Sequence, residues 1–176
     1  MNSEEKVGTP ILLGILSWNI RGLRTKVNQK ITMMKKIIKF NKVNEEKLHV
    51  FTPIEQEFRM FSKKWGIAGT LDILFHMDSN SNYYVGDWKT NKAFTTDEHS
   101  KGRRGKMLAP FEDLWDNSLN GYSLQISTYR LMLEEAGFET AGGFLIWIGP
   151  EEPKLYKALD LRDRIREHLG KNNFSL

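Results

Sequence analysis

Three acids and a lysine stand out for what they could do together: Glu57 in Glu57-Phe58-Arg59-Met60-Phe61, Asp72 closing Gly69-Thr70-Leu71-Asp72, and Asp87 with Lys89 in Gly86-Asp87-Trp88-Lys89. Neighbouring carboxylates repel and raise one another's pKa, and a divalent cation between them relieves the repulsion. Hard oxygen ligands with open water positions suit Mg2+ or Mn2+ rather than Zn2+. Beside a phosphodiester such an ion polarises a phosphoryl oxygen, lowers the pKa of an attacking water and stabilises the leaving oxyanion. Lys89 could orient or deprotonate that water, or neutralise charge in the transition state. Taken singly, each acid is better read as an ordinary exposed strand residue, with Lys89 as a salt-bridge partner. The joint spacing favours the metal-dependent nuclease site.

The elements that must position these residues read as a β-meander. Glu57 to Ser62 alternates, with Phe58 and Met60 opposite Glu57, Arg59 and Phe61. Lys63 to Gly66 is a turn, Ile67 to Phe75 a second strand, Asp78-Ser79-Asn80-Ser81-Asn82 strong turn chemistry, and Tyr83 to Lys89 a third strand. Opposite residues in an antiparallel pair share a face, and the turn centre fixes their register. Pairing Asp72 with Asp87 centres one turn between Ser79 and Asn80, and pairing Glu57 with Asp72 centres the other between Lys64 and Trp65. Both centres fall inside the polar segments, so three carboxylates are expected abreast, with Lys89 two residues beyond Asp87 on the same face. Glu55 has the strand parity of Glu57 and is the alternative upstream acid, though turn symmetry favours Glu57.

Around the meander, Val27, Ile31, Met34, Ile37 and Ile38 recur at helical spacing, with Lys30, Lys35, Lys36 and Lys39 on the other face, predicting an amphipathic helix over 27–40. Its lysines are a solvated face or a phosphate-contacting one. Residues 11–23 fit a strand, a helix start or a loosely packed arm. Leu48 to Phe51 begins an extended region, with Pro53 suited to an edge. Thr90 to Asn120 is irregular, with a short helical turn over Pro110 to Trp115, and carries the basic run Lys101-Gly102-Arg103-Arg104-Gly105-Lys106. Lys101, Arg103, Arg104 and Lys106 are expected to touch substrate. Tyr122 to Ala136 reads as a helix stopped by Gly137, with Leu124, Tyr129, Met132, Leu133 and Ala136 as apolar contacts. Gly143 to Ile148 is a buried strand, Pro153 to Leu159 another strand, and Leu161 to Leu169 a closing helix. This order predicts an α/β or α+β domain with its sheet covered on both faces. One domain spans 1–176, with an N-terminal arm over 1–26 and a core of about 27–169.

The 176 residues, 40% hydrophobic and 27% charged, suffice for one buried core. With no cysteine, disulfides, thiolate zinc sites and cysteine-ligated iron-sulfur clusters are excluded. The longest early apolar run, Ile11 to Leu16, is too short to span a bilayer, which points to a cytoplasmic protein without a membrane partner. The net charge of +4 weakly favours a polyanionic partner.

At these residues the chain resembles the PD-(D/E)xK nuclease superfamily, in particular its RecB-like exonuclease branch, which includes phage and mitochondrial genome maintenance exonucleases. Gly69-Thr70-Leu71-Asp72 matches the GxxD element, Gly86-Asp87-Trp88-Lys89-Thr90 the DxK element, and Gln125-Ile126-Ser127-Thr128-Tyr129 the Q-x-x-x-Y element. The resemblance spans Glu57 to Gly137. It implies an α/β restriction-endonuclease-like core, a central mixed sheet whose antiparallel three-strand meander is flanked by helices. It further implies Mg2+ or Mn2+ held by Asp72, Asp87 and the Trp88 carbonyl, with Glu57 assisting, Lys89 as catalytic lysine, and Gln125 and Tyr129 supporting the site and the DNA near it. The substrate implied is DNA, single-stranded or with free ends, in a bacterial or phage-infected cell. Many relatives carry a histidine on the first helix, whereas here no histidine precedes His49. The cysteine cluster of the CRISPR-adaptation nucleases in this branch is absent, so no iron-sulfur cluster is expected. Ser17-Trp18-Asn19-Ile20-Arg21-Gly22 faintly resembles the opening strand of the endonuclease/exonuclease/phosphatase family, whose later elements are missing. The competing reading is a non-catalytic nucleic-acid-binding module, with residues 101–106 as a phosphate-contacting loop and aromatics as stacking platforms.

Overall fold

β-Branched and aromatic residues in alternation draw residues 52–89 into three successive antiparallel strands, β1 (Thr52–Ser62), β2 (Ile67–Met77) and β3 (Asn82–Lys89). The structure is a computed structural model and describes residues 50–77, 79, 81–96, 105–150 and 152–171. Each hairpin turn uses a left-handed residue, Gly66 at φ 62° and Ser81 at φ 55°. β4 (Thr140–Trp147) then lies parallel to β3, and β5 (Lys154–Lys157) antiparallel to β4, giving a mixed sheet in the order β1-β2-β3-β4-β5. The edge position of β1 accommodates Pro53, which has no N–H to give a neighbour.

Parallel neighbours require a crossover, and α1 (Ser118–Glu135) supplies it between β3 and β4. Asn117 caps it by accepting from the Asn120 N–H at 2.8 Å, so the helix begins four residues before the expected Tyr122. Its end is where Gly137, at φ 89°, lets the chain turn back, with the Phe138 N–H donating to the Leu133 carbonyl at 2.9 Å. Ile126 and Leu133 pack on one face of the sheet with Leu71, Leu74, Val85 and Leu145. A Cβ on Gly143 would stand 2.3 Å from Ile126 Cγ2, so the helix needs that glycine to sit close. Burying each such side chain contributes about 1.5–3 kcal/mol, which outweighs any helix propensity difference in holding α1.

Phe51, Ile73, Phe75, Ile146 and Ile148 form a second cluster, on the sheet's other face. On the outer side of α1, Leu131 meets Phe111, Leu161 and Ile165, the last on α2 (Arg162–Lys171). α1 is therefore packed on two sides, and its buried face includes the polar Ser123, Ser127 and Arg130. Ser127 Oγ donates to the Leu159 carbonyl at 3.0 Å and accepts from the Leu161 N–H at 3.0 Å, while Ser123 Oγ accepts from the Leu159 N–H at 2.9 Å. Of the expected apolar contacts, Met132 and Leu133 are buried, Leu124 and Tyr129 half-buried and Ala136 exposed. Ile126 and Leu131, also buried in the core, were not among them. The helix expected over 27–40, the arm before it and His49 lie outside the described residues. Among the described residues no helix is long and apolar enough to cross a membrane.

Candidate active site at the fork between β2 and β3

The β2–β3 ladder runs from Met77↔Asn82 to Ile73↔Gly86 and stops there. One more step in that register would pair Asp72 with Asp87, so the expected register holds, but the two acids lie just past the last rung. Along β1 the pairs Gln56↔Ile73 and Phe58↔Leu71 flank the point where Glu57 faces Asp72, and the ladder skips it. The bulge in β1 falls upstream, between Pro53 and Glu55, leaving Glu55 opposite Leu74 and Glu57 as the acid at this point.

Two local departures from regular strand geometry coincide here. Glu57 has φ 50°, a left-handed conformation that costs a non-glycine residue on the order of 1 kcal/mol or more. Leu71 and Leu74 pack in the α1-side cluster while Ile73 packs in the opposite one, so the alternation of β2 breaks at Asp72. β2 thus parts from β3 at this residue. Instead of entering the ladder, the Trp88 N–H donates to Asp72 Oδ2 at 2.9 Å.

Asp87 is 2% exposed, and its Oδ2 meets the Lys89 ammonium as an ion pair without a conventionally oriented hydrogen bond. Burial, with the charge of Asp72 added, pushes the Asp87 carboxyl up to about 7. Burial likewise raises Asp72, against the lowering effects of the Trp88 N–H and Lys89. The two carboxyls lie close enough for each to influence the other's ionisation, so they titrate as a pair in which burial disfavours the doubly ionised form.

From this pair a chain of contacts leads into α1. Lys89 Nζ donates to Gln125 Oε1 at 3.4 Å and lies 4.1 Å from the centre of the Tyr122 ring. Gln125 Nε2 donates in turn to the Tyr129 hydroxyl at 2.9 Å. The Tyr129 ring covers Gly69, where a Cβ would come within 2.5 Å of Cε1. The glycine three residues before Asp72 therefore makes room for the tyrosine four residues after Gln125. Gln125 and Tyr129 stand behind the acids and lysine, as their four-residue spacing on one helical face allows.

The fork fits a hard divalent cation. Asp72 and Asp87 converge where β2 leaves β3, both made harder to ionise by burial, and a cation would favour their charged forms; Mg2+ commonly binds through one or two carboxylates while keeping several waters. Glu57 does not complete a three-acid cluster: among the described residues no three His, Cys, Asp or Glu side chains gather to hold an ion, and Glu57 is the smallest of the named influences on Asp72. The Trp88 carbonyl as ligand rests on the resemblance alone.

The basic run is placed only in part. Lys101, Arg103 and Arg104 lie outside the described residues. Lys106 is exposed, bridged to Trp115, with Nζ donating to the Asp113 carbonyl at 2.9 Å and lying 3.9 Å from the Trp115 ring. Sequence reasoning missed Tyr122 and Phe94. Tyr122 was visible in principle, standing three residues before Gln125 on the same helical face, whereas Phe94, in the segment after β3, gave no periodic signal.

No protein-family model and no curated protein matches the chain. Among solved structures, the crystal structure of SSO0001 aligns over 99% of this chain and 80% of that one, at 15% identity and a TM-score of 0.37. A likeness this slight carries no argument about fold or activity.

Proposed function

We propose that this chain is a metal-dependent DNA nuclease with a restriction-endonuclease-like core of the PD-(D/E)xK kind. The observation that carries the reading is the convergence of Asp72 and Asp87 at a break in the β2–β3 ladder, with Lys89 beside Asp87 and tied to Gln125. An ordinary surface salt bridge would not require a carboxylate 2% exposed and a strand that leaves its neighbour early.

In this reading Asp72 and Asp87 hold Mg2+ or Mn2+, with Glu57 nearby at the edge of the gap. The ion, when bound, supplies Lewis-acid polarisation of a phosphoryl oxygen and an acidified water. The Trp88 N–H fixes the orientation of the Asp72 carboxylate. Lys89 brings a positive charge to where negative charge grows on the phosphoryl group, and Gln125 aims it. Tyr129, seated on Gly69, keeps Gln125 in place. Lys101, Arg103 and Arg104 belong to the proposed substrate contacts by sequence, while Lys106 is already engaged with Trp115 and Asp113.

The test is incubation with end-labelled and circular DNA, single- and double-stranded, in Mg2+, Mn2+ or chelator. Cleavage is expected only with metal, and Asp87→Asn should reduce it by about 100-fold or more. Metal-dependent cleavage undiminished in Asp87→Asn would sink the assignment. DNA binding without cleavage would support the non-catalytic binding module instead.

A further inference from the structure

We propose that Tyr122 is a positioning residue for Lys89, its ring forming the wall of the socket that holds the ammonium when the acids are occupied by metal. The inference rests on the nuclease reading and adds a residue outside the motifs that suggested it. Three groups surround Lys89 Nζ: the Asp87 carboxylate, Gln125 Oε1 at 3.4 Å and the Tyr122 ring at 4.1 Å. They are not equivalent. A carboxylate that turns its charge toward a cation gives up part of its hold on the lysine, and an N–H···O contact of 3.4 Å is at the long end of a hydrogen bond. The aromatic face attracts a cation well inside the roughly 6 Å range of such contacts. It does so without accepting an N–H along a lone pair, which leaves the ammonium's donors for a phosphoryl oxygen or a water.

The ring is itself fixed from the far side of the site. Phe94 stacks on Tyr122 at 5.9 Å and on Tyr156 at 4.5 Å. The segment carrying Phe94 is tied down at both ends, by the Trp147 indole N–H donating to the Asn91 carbonyl at 2.9 Å and the Ser118 N–H donating to Thr95 Oγ1 at 2.9 Å. Tyr122 and Gln125, three residues apart on α1, therefore present an aromatic face and an amide oxygen to one cation from one helix.

The test uses the full chain with Tyr122→Leu, Tyr122→Phe, and replacement of Tyr122 by phenylalanines bearing one, two and three fluorines, which keep the ring's shape while draining its negative face. On end-labelled DNA at saturating Mg2+, Tyr122→Leu is expected to lower kcat about 10-fold with KM changed less than about two-fold. Tyr122→Phe should restore most of that loss, and kcat should fall stepwise along the fluorine series. A role in packing alone predicts a flat series, and that result overturns the inference. A second readout does not need activity: the Lys89 ε-methylene protons, assigned by their loss in Lys89→Arg, should lie upfield under the ring current and return toward ordinary positions in Tyr122→Leu. If the wild-type chain cuts no DNA, the nuclease reading fails and this shift alone decides whether Tyr122 holds Lys89. An unshifted Lys89 in an active enzyme overturns the inference and leaves that reading standing.

Discussion

The buried carboxyl at the fork predicts that, without divalent cations, the protein loses stability as pH rises, opposite to the usual effect of a paired acid. Asp87 ordinarily ionises at 3.8 and here is pushed up to about 7, first by burial and then by the charge of Asp72. The folded state consequently keeps a proton that the unfolded chain releases. Between about pH 4 and pH 7 the folded state binds more protons, so this contribution is complete below about pH 4 and is lost as pH rises through about 7. At about 1.4 kcal/mol per tenfold change in proton activity, the interval from 3.8 to about 7 sets a ceiling near 4 kcal/mol. For a chain of this size each kcal/mol moves Tm by about 2–4 °C, so a fall of about 3–10 °C is expected between pH 5 and pH 8 in chelator. The strongly depressed Asp160, held down chiefly by its hydrogen bond from Arg162, acts only below the ordinary carboxylate range and stays out of this window. Asp87→Asn should flatten the slope. If the proposed Mg2+ site is at these acids, Mg2+ should raise the wild-type Tm more at pH 8 than at pH 5, because protons would compete with the ion for the same oxygens. Thermal denaturation across these conditions decides it: a Tm that is level or rising from pH 5 to pH 8 in chelator, or a slope unchanged in Asp87→Asn, refutes the reasoning.

Gly69→Ala drives a Cβ against the Tyr129 ring and should destabilise the fold by about 1–3 kcal/mol, read as a lower urea midpoint; an unchanged midpoint would mean that the ring does not rest there. Ser127→Ala strips the Leu159 carbonyl and the Leu161 N–H of their partner and should cost about 1–3 kcal/mol in equilibrium unfolding while leaving the proposed DNA cleavage near the wild-type rate, since both bonds hold the connector to α2 and neither reaches the acids.

The strands of the meander were legible because both of their turns announce themselves, in Lys63 to Gly66 and in the polar run at 78–82, and the turn centres carried the register with them. β4 was legible as an apolar run, although nothing local said that it would lie parallel to β3. Less visible was the start of α1, because Asn117 reads as one more polar residue in a polar connection until its side chain is seen capping Asn120. Ser123, Ser127 and Arg130 were hidden for a related reason. Polar residues on a helix normally mark the solvent side; here the connector from β5 to α2 gives Ser123 and Ser127 their partners, and Arg130 is met by Thr140 at the start of β4 and by Asp160 of that connector. Of the candidate site, Asp72, Asp87, Lys89, Gln125 and Tyr129 were named from spacing and resemblance. Tyr122 was not, because an aromatic at helical spacing is first of all a core residue. The break in β2 had no signature at all, since a change of face is a property of the packing.

That break is what gives the acids their character. A perfectly regular meander would carry the ladder through Asp72 and Asp87 and leave the carboxylates abreast, about 5 Å apart, with no reason for either to be buried. Ending the β2–β3 ladder one rung early gives the Trp88 N–H to Asp72, and Asp87 is buried beside the lysine. Burial then makes both acids harder to ionise, which costs stability as long as a proton is the only cation available. The left-handed Glu57 adds a local cost at the same point. Backbone strain, two buried carboxyls and a lysine held by a helix therefore meet at one break in the sheet, and the proposed divalent cation would act on the second of these, by favouring the ionised form of both acids that burial disfavours.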